Sequence, residues 1–229
     1  MRERPILFNT EMVMALLKGT KTCTRRVVRY KYSNTEMKIK KDKYGARLIE
    51  IQKDVKGENS DNKLLPFVEK EAPYQPGDIL YVRETFAWCP CWDCGLDTTP
   101  DGCKNPVIYD SEKKEHGCYM YRASCEDSKY SSADTWHPSI HMPKEAARIW
   151  LKVTDVRVER LQDIDIDGIR NEGLLSAAVH SGDMEIALKE WEILWNSTIK
   201  KSDLDRYGWD ANPYVWVIEF ERCEKPGKE

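Results

Sequence analysis

The sequence lacks any run approaching the roughly 20 apolar residues that a membrane-spanning helix requires. Its first residues lead into a short strand-like segment instead of the apolar core of a secretory signal, so we expect a cytoplasmic protein with no membrane partner. It also lacks a GxGxxG loop, a Walker-type phosphate loop and a nucleophile elbow. These absences exclude the commonest fingerprints of nucleotide-cofactor enzymes and hydrolases.

The chain has little net charge of either sign. Its 36 basic and 39 acidic residues give a formal net charge of −3, which provides no overall attraction to nucleic acid. Residues 1–31, however, contain eight basic and two acidic side chains, a local charge of +6. A basic surface beside an acidic remainder is therefore expected.

Eight cysteines are present, and in a reducing compartment they are better interpreted as thiols or metal ligands than as disulfides. Four of them lie within fifteen residues: Cys89, Cys91, Cys94 and Cys103. Four thiolates can hold a tetrahedral zinc ion at about 2.3 Å, and the ion would order a segment with no apolar core of its own. The sequence predicts a structural zinc knuckle here. Free thiols, or replacement of one ligand by Cys118, Cys125 or His116, remain alternatives.

Local patterns near the start predict a strand, a helix and a basic turn. Residues 6–8 are apolar, Asn9 or Thr10 can cap the helix that follows, and Gly19 ends it. The chain from Lys21 to Arg26 is then expected to form a turn that places several cations at one rim. A second strand is expected to begin at Val27.

The remaining pattern predicts several strands, with helices near the end of the chain. Alternating runs indicate a charged hairpin within 33–73 and strands at 78–87, 106–110, 118–124, 149–161 and 214–222, whereas helical periodicity covers 163–172 and 183–196. Trp191 and Trp195 fall on the apolar stripe of the last helix. We predict an α+β domain built on a small β-barrel with flanking helices.

The segment from Gly19 to Arg26 resembles the signature of the ASCH domain family, GxKxxExR. Gly19, Lys21 and Arg26 match it, and Thr24 stands where many members have glutamate. Three further segments resemble family motifs, the last two of them those of its phage and prophage subgroup: 76–84, 139–143 and 209–213. The resemblance implies one PUA-like domain over residues 1–229, with insertions at about 33–73 and at 88–105, the cysteine segment.

The threonine at position 24 resembles the branch of the family that deacylates acetylcytidine. The resemblance implies that Lys21 takes a proton from Thr24 as its hydroxyl attacks an amide carbonyl, and that Glu172 positions the pair. Glu172 lies beside Gly173 at a predicted helix end, where a surface carboxylate is the alternative.

The family resemblance also implies recognition of RNA or of a modified nucleobase or nucleoside, which we favour slightly over hydrolysis. Arg25 and Arg26, together with Lys21, would contact phosphates, while an aromatic residue such as Trp216, Trp136 or Tyr81 stacks on an unpaired base. The residues expected to contribute to binding are Gly19, Lys21, Arg25, Arg26, Arg83 and Trp216. A ribonuclease, a structural phage protein and a merely solvated basic turn are further alternatives.

Overall fold

A computed structural model describes residues 2–29, 35–42, 45–52, 72–90, 108–110, 115–125 and 135–227. The strands in these ranges are β1 (Glu3–Leu7), β2 (Cys23–Val27), β3 (Thr35–Asp42), β4 (Gly45–Gln52), β5 (Ile79–Arg83), β6 (Phe86–Pro90), β7 (Ile108–Asp110), β8 (Glu115–Tyr121), β9 (Trp150–Arg160) and β10 (Tyr214–Cys223). The helices are α1 (Thr10–Leu17), α2 (Ile166–Asn171), α3 (Ala177–Ser181), α4 (Met184–Thr198) and α5 (Leu204–Tyr207). The predicted α+β class is confirmed.

The largest sheet contains five strands in the order β1-β5-β9-β10-β2. β1 runs parallel to β5, whereas β5 pairs antiparallel with β9, and β10 with β2. Closing a sheet into a barrel requires its two edges to be joined through strand pairing. In the part of the chain that the structure describes, β1 and β2 remain edge strands, so the predicted small barrel is wrong and the sheet is open.

Two smaller sheets accompany the open sheet. β3 and β4 form an antiparallel pair, which confirms the hairpin predicted in residues 33–73. β6, β8 and β7 form a three-stranded sheet. The single strand predicted over 78–87 is wrong, because it divides into β5 and β6 at Glu84. This carboxylate is buried against Arg148, and the N–H of Glu84 donates to the Met142 sulfur instead of to a strand.

Local caps explain where the principal helices begin and end. The Asn9 side chain accepts from the N–H of Met12 at the start of α1, and Gly19 follows the helix with a φ of 72°. Asp165 caps α2 in the same way by accepting from Gly168, so this helix starts later than the predicted residue 163. α3 and α5, five and four residues long, are too short for periodicity to predict.

The chain divides into two compact units. The first unit comprises Met1–Thr20, Ile79–Lys152 and Arg222–Glu229, and the second comprises Lys21–Asp78 and Val153–Glu221. Ile79, Met142 and Trp150 belong to a core cluster of the first unit. In the second, α2 to α4 pack on Val215 and Val217. Trp191 and Trp195 are buried there, as the stripe of α4 predicts, and a single domain over residues 1–229 stays a prediction.

None of the helices in the described ranges combines the length and the apolar character needed to cross a membrane.

Candidate functional site

The basic segment after Gly19 is a strand, not the predicted turn. Its first strand residue is Cys23, and the backbone ladder with β10 pairs Thr24 with Ile218 and Arg26 with Trp216. Before the strand, the N–H of Thr22 donates to the carbonyl of Asn171, and its carbonyl accepts from Phe220. The chain is therefore extended from residue 22 onwards, and the expectation of a turn over Lys21 to Arg26 is wrong.

The cations of this segment do not form a solvated rim. The side chain of Lys21 is fully buried and that of Arg25 is 3% exposed. Thr24 is also buried, and Arg26 is partly exposed. A buried charge is costly unless it is paired and hydrogen-bonded, so the partners of Lys21 and Arg25 define what this region can do.

Glu172 holds Lys21 through two of its oxygen atoms. The Nζ of Lys21 donates to the Oε2 of Glu172 at 2.6 Å and to its backbone carbonyl at 2.8 Å. Glu172 is the C-cap residue of α2, and Gly173 follows it with a φ of 93°, which turns the chain away from the helix. The alternative of a surface carboxylate at this position is wrong, because Glu172 is buried.

Arg25 joins the same carboxylate to a second one. Its Nη1 donates to the Oε1 of Glu172 at 3.4 Å, and its Nη2 donates to the Oε2 of Glu159 at 3.3 Å. Its Nε is buried and has no hydrogen-bond partner in the described residues. The guanidinium also lies against Gly168 of α2, where an added Cβ would be 3.0 Å from its Nη2. The absence of a side chain at Gly168 therefore leaves room for the Nη2 of Arg25, the atom that donates to Glu159.

The ion pairs continue from Glu159 to the surface. Arg157 donates to Glu159 at 2.6 Å and to Glu219 at 2.5 Å, with a further contact to Asp155. Burial acts to lower the pKa of Arg157, but the hydrogen bonds to Glu159 and Glu219 outweigh it, so the pKa lies above its usual value. We call the set Lys21, Glu172, Arg25, Glu159 and Arg157 the ion-pair chain; it runs from a buried end to an exposed end.

The other face of β2 carries the predicted base-binding residues. Side chains alternate along a strand, so Thr24 and Arg26 lie on the face opposite Cys23 and Arg25. Arg26 is directly opposite Trp216 on β10, and residues paired in this way have neighbouring side chains. Burial lowers the pKa of Arg26, while Tyr74 and Glu172 act in the opposite direction. A guanidinium and an indole therefore share one face of the sheet.

Cys23 is a member of the site that the sequence did not assign. Its Sγ accepts from Nη1 of Arg25 at 3.7 Å, and burial, with a further contribution from the charge of Glu172, raises the pKa of its thiol to about 12. The nucleophilic form of cysteine is the thiolate. Cys23 is therefore a neutral thiol at physiological pH and a poor nucleophile.

Three further residues of the site, Glu159, Arg157 and Gly168, were not predicted from the sequence. Asp155, Arg157 and Glu159 alternate along β9, and charges at this spacing on a strand indicate one polar face. That signal was available from the sequence. The role of Gly168 was not, because it depends on the distance between a helix and a side chain of a remote strand.

Two other predicted site residues belong to the first unit. Gly19 ends α1, and Arg83 lies in β5, where its Nη1 donates to the carbonyl of Ile140. The second unit, in contrast, contains Lys21, Thr24, Arg25, Arg26, Glu172 and Trp216.

Most of the predicted zinc ligands lie outside the described residues. Cys89 is in β6, where its register partner is Cys118, whereas Cys91, Cys94 and Cys103 are not among the described residues. His116 is in β8, and Cys125 follows the 3-10 turn after it. The described ranges contain no group of three or more His, Cys, Asp or Glu side chains that could hold a metal ion. The zinc knuckle stays a prediction.

Comparison of the chain with family models, with curated proteins and with solved structures finds no match.

Proposed function

We propose that the protein binds a nucleobase or nucleoside, free or within RNA, on the face of β2 and β10 that carries Thr24, Arg26 and Trp216. The observation that supports this most is the direct pairing of Arg26 with Trp216 across the two strands. An indole has a ring face on which a base can stack, and a guanidinium offers several donors to the carbonyl groups and ring nitrogens of a base. Trp216 and Thr24 are buried, whereas Arg26 is partly exposed, so a ligand reaches this face beside Arg26.

In this proposal, Lys21 and Arg25 do not contact phosphate. Their donors already serve Glu172 and Glu159, which are buried and half-buried, respectively. They instead hold Glu172 at the start of β2, close enough for its charge to act on Arg26. Contacts of this kind, made by residues that do not touch the ligand, fix the position of a binding group before the ligand arrives. This reduces the entropy lost on binding.

The proposal includes the family. Gly19, Lys21, Thr24 and Arg26 stand at the spacing of the ASCH signature, and we propose that the chain is a cytoplasmic ASCH protein with an open sheet, resembling PUA domains. A structural zinc ion held by Cys89, Cys91, Cys94 and Cys103 is part of the same proposal. Elemental analysis of protein purified without added zinc tests it, because a zinc content near zero under reducing conditions would contradict it.

Calorimetric titration with cytidine, acetylcytidine and a short single-stranded RNA tests the binding function. We expect Arg26→Ala to abolish binding. Arg29→Ala is the matched control, because Arg29 is an exposed arginine just beyond β2 and its loss removes the same charge. Equal affinities of the wild-type protein and Arg26→Ala, or no binding of any of the three ligands, would contradict the proposal.

A second candidate function is amide hydrolysis of an N4-acylated cytidine, favoured by the 2.6 Å contact between Lys21 and Glu172. The Thr24 oxygen would bond to the acyl carbon while Lys21, as the neutral amine, takes the hydroxyl proton and passes it to the departing exocyclic amine. Water then hydrolyses the acyl-threonine and restores the hydroxyl. Lys21 is paired with Glu172 as a cation, so this step requires Glu172 to take one of its protons before the amine accepts the proton of the hydroxyl.

Incubation with acetylcytidine separates the two candidates. Hydrolysis requires that cytidine and acetate accumulate with the wild-type protein and that Lys21→Ala and Thr24→Ala both lose turnover while remaining folded. Binding without turnover in the wild-type protein would exclude the hydrolase and retain the binding function.

A further inference from the structure

The first unit carries a cluster of cations around two aromatic rings that the proposed function does not use. Tyr81 and Trp150 are register partners on β5 and β9, with ring centroids 5.9 Å apart. The guanidinium of Arg83 is 5.9 Å from the centre of the Tyr81 ring, and Nζ of Lys144 is 5.8 Å from it. Lys225 places its Nζ 5.9 Å from the Trp150 ring. Trp150 is buried, and we call the other four residues, Tyr81, Arg83, Lys144 and Lys225, the Tyr81 surface.

The charge of this surface is unlike that of the whole chain. Within the described part of the chain, the three cations Arg83, Lys144 and Lys225 form one ion pair, between Lys144 and Glu3. The surface is therefore positive, whereas the chain has a formal net charge of −3. Lys144 is half exposed and Lys225 is exposed, so both can reach a ligand in solvent.

Arg83 retains a donor that the protein does not use. Its Nη1 donates to the carbonyl of Ile140, but its Nε is buried and has no partner in the described residues. A buried donor without an acceptor is costly, and an anionic oxygen brought to this position would satisfy it. Tyr81 is partly exposed beside it and presents an aromatic ring to the same ligand.

We propose that the Tyr81 surface binds single-stranded nucleic acid, with Arg83, Lys144 and Lys225 contacting phosphates and Tyr81 stacking on a base. Cations that follow a backbone and an aromatic ring between them are the combination that sequence-tolerant single-strand binding requires. An acidic peptide would match the charge alone and leave the ring without a role. This surface lies in the first unit, and the proposal does not depend on nucleoside binding in the second.

Fluorescence anisotropy with labelled oligouridine and oligothymidine of about 12 nucleotides tests the proposal. The double variant Lys144→Ala/Lys225→Ala is expected to bind roughly tenfold more weakly at about 0.1 M salt, with a salt dependence reduced by about 1.4 in logarithmic slope. Tyr81→Leu is expected to weaken binding by about tenfold without changing that slope. Both lysines are at the surface, so the double variant should fold normally.

The matched control is Lys189→Ala/Lys201→Ala, which removes two exposed charges from the second unit. An equal loss of oligonucleotide affinity in the two double variants would overturn the proposal. Wild-type affinity of Lys144→Ala/Lys225→Ala would overturn it as well. Competition by polyglutamate as effective as that by oligouridine would overturn the choice of nucleic acid. Cytidine binding is measured on the same proteins. Its absence would contradict the proposed function in the second unit and would not bear on the Tyr81 surface.

Discussion

Each unit contains a glutamate whose carboxylate is buried against cations, and the two carboxylates are held differently. Glu84 in the first unit is gripped by Arg148 through two parallel bonds of 2.8 and 2.9 Å, and Arg148 packs 4.0 Å from the centre of the Tyr121 ring. Glu172 in the second unit has one short bond to Lys21 and a 3.4 Å bond to Arg25, and the Nε of that arginine has no acceptor among the described residues. In this bidentate pair, both oxygen atoms of the Glu84 carboxylate accept a hydrogen bond from the same guanidinium. The Glu84 pair is therefore structural, whereas the Glu172 cluster retains hydrogen-bonding capacity.

The largest expected difference concerns loss of the two carboxylates. Glu172→Gln should lower the free energy of unfolding by about 3–5 kcal/mol, because it leaves buried Lys21 without its anion and removes one of the two carboxylates paired with Arg25. Glu84→Gln should cost less, because the side chain of Arg148 is 26% exposed and can be hydrated. Urea unfolding of both variants measures this order. A greater loss for Glu84→Gln would mean that the two clusters have been assigned the wrong roles.

Alkaline pH should destabilise first the cluster around Glu172, which contains Cys23, and then the cluster around Glu84, which contains Tyr121. Burial, assisted by Glu172, raises the pKa of Cys23 from 9.0 to about 12, and burial, opposed by Arg148 and assisted by Glu84, raises that of Tyr121 from 10.0 to about 12. Each group is protonated in the folded state where the unfolded chain has already lost its proton. Their contributions to stability are therefore complete below pH 9 and pH 10, respectively, and are lost as the pH rises towards 12.

Replacing Cys23 by alanine should remove the earlier part of this alkaline loss. The difference from the wild-type protein is expected to reach up to about 4 kcal/mol between pH 9 and pH 12, since one unit of pKa corresponds to about 1.4 kcal/mol. Chemical unfolding at several pH values measures it, with Cys125→Ala at a partly exposed position as the control. Parallel pH profiles for Cys23→Ala and the wild-type protein would contradict the assignment.

A smaller effect is expected where α2 meets Arg25. Gly168→Ala places a Cβ 2.9 Å from a carbon of Ile164 and 3.0 Å from Nη2 of Arg25, and we expect it to destabilise the protein by about 1–3 kcal/mol. Alanine has the higher helix propensity, by about 1 kcal/mol, so propensity alone predicts stabilisation. Gly227→Ala, which meets nothing within 4 Å, is the control. A more stable Gly168→Ala variant would show that the contact with Arg25 is not tight.

The smallest effect is expected at the exposed end of the ion-pair chain. Arg157→Ala should change the free energy of unfolding by less than about 1 kcal/mol, because its side chain is 41% exposed and solvent screens its ion pairs. Glu159→Gln should cost more, because it removes one of the two carboxylates paired with buried Arg25. Thermal unfolding of both variants at low and high salt checks this order. A larger loss for Arg157→Ala would contradict the division into buried and exposed ends.

Local patterns predicted the elements whose signals lie within a few neighbouring residues. The apolar stripe of α4 located Trp191 and Trp195 in the core, and alternation located β9 and β10. The strand β2 was not predicted, because the residues from Cys23 to Arg26 are small or charged and show no alternation of apolar side chains. Its extended form depends on pairing with β10, almost 190 residues later.

The candidate site shows even more clearly that local sequence patterns do not reveal contacts between remote residues. Lys21 and Glu172 are 151 residues apart in the sequence, and the family resemblance named both, although spacing alone could not bring them together. The burial of Arg25 was not predicted, because arginine is usually exposed unless it is paired, and its partners lie on β9 and α2. The break at Glu84 likewise depends on Arg148, which no pattern within residues 78–87 contains.

A crystal structure of the protein with saturating acetylcytidine is the sharpest test of nucleobase binding by β2 and β10. We expect a base in contact with the Trp216 ring, with one of its acceptors within hydrogen-bond distance of the Arg26 guanidinium. A base bound elsewhere, with the face of Thr24, Arg26 and Trp216 unchanged, would contradict it.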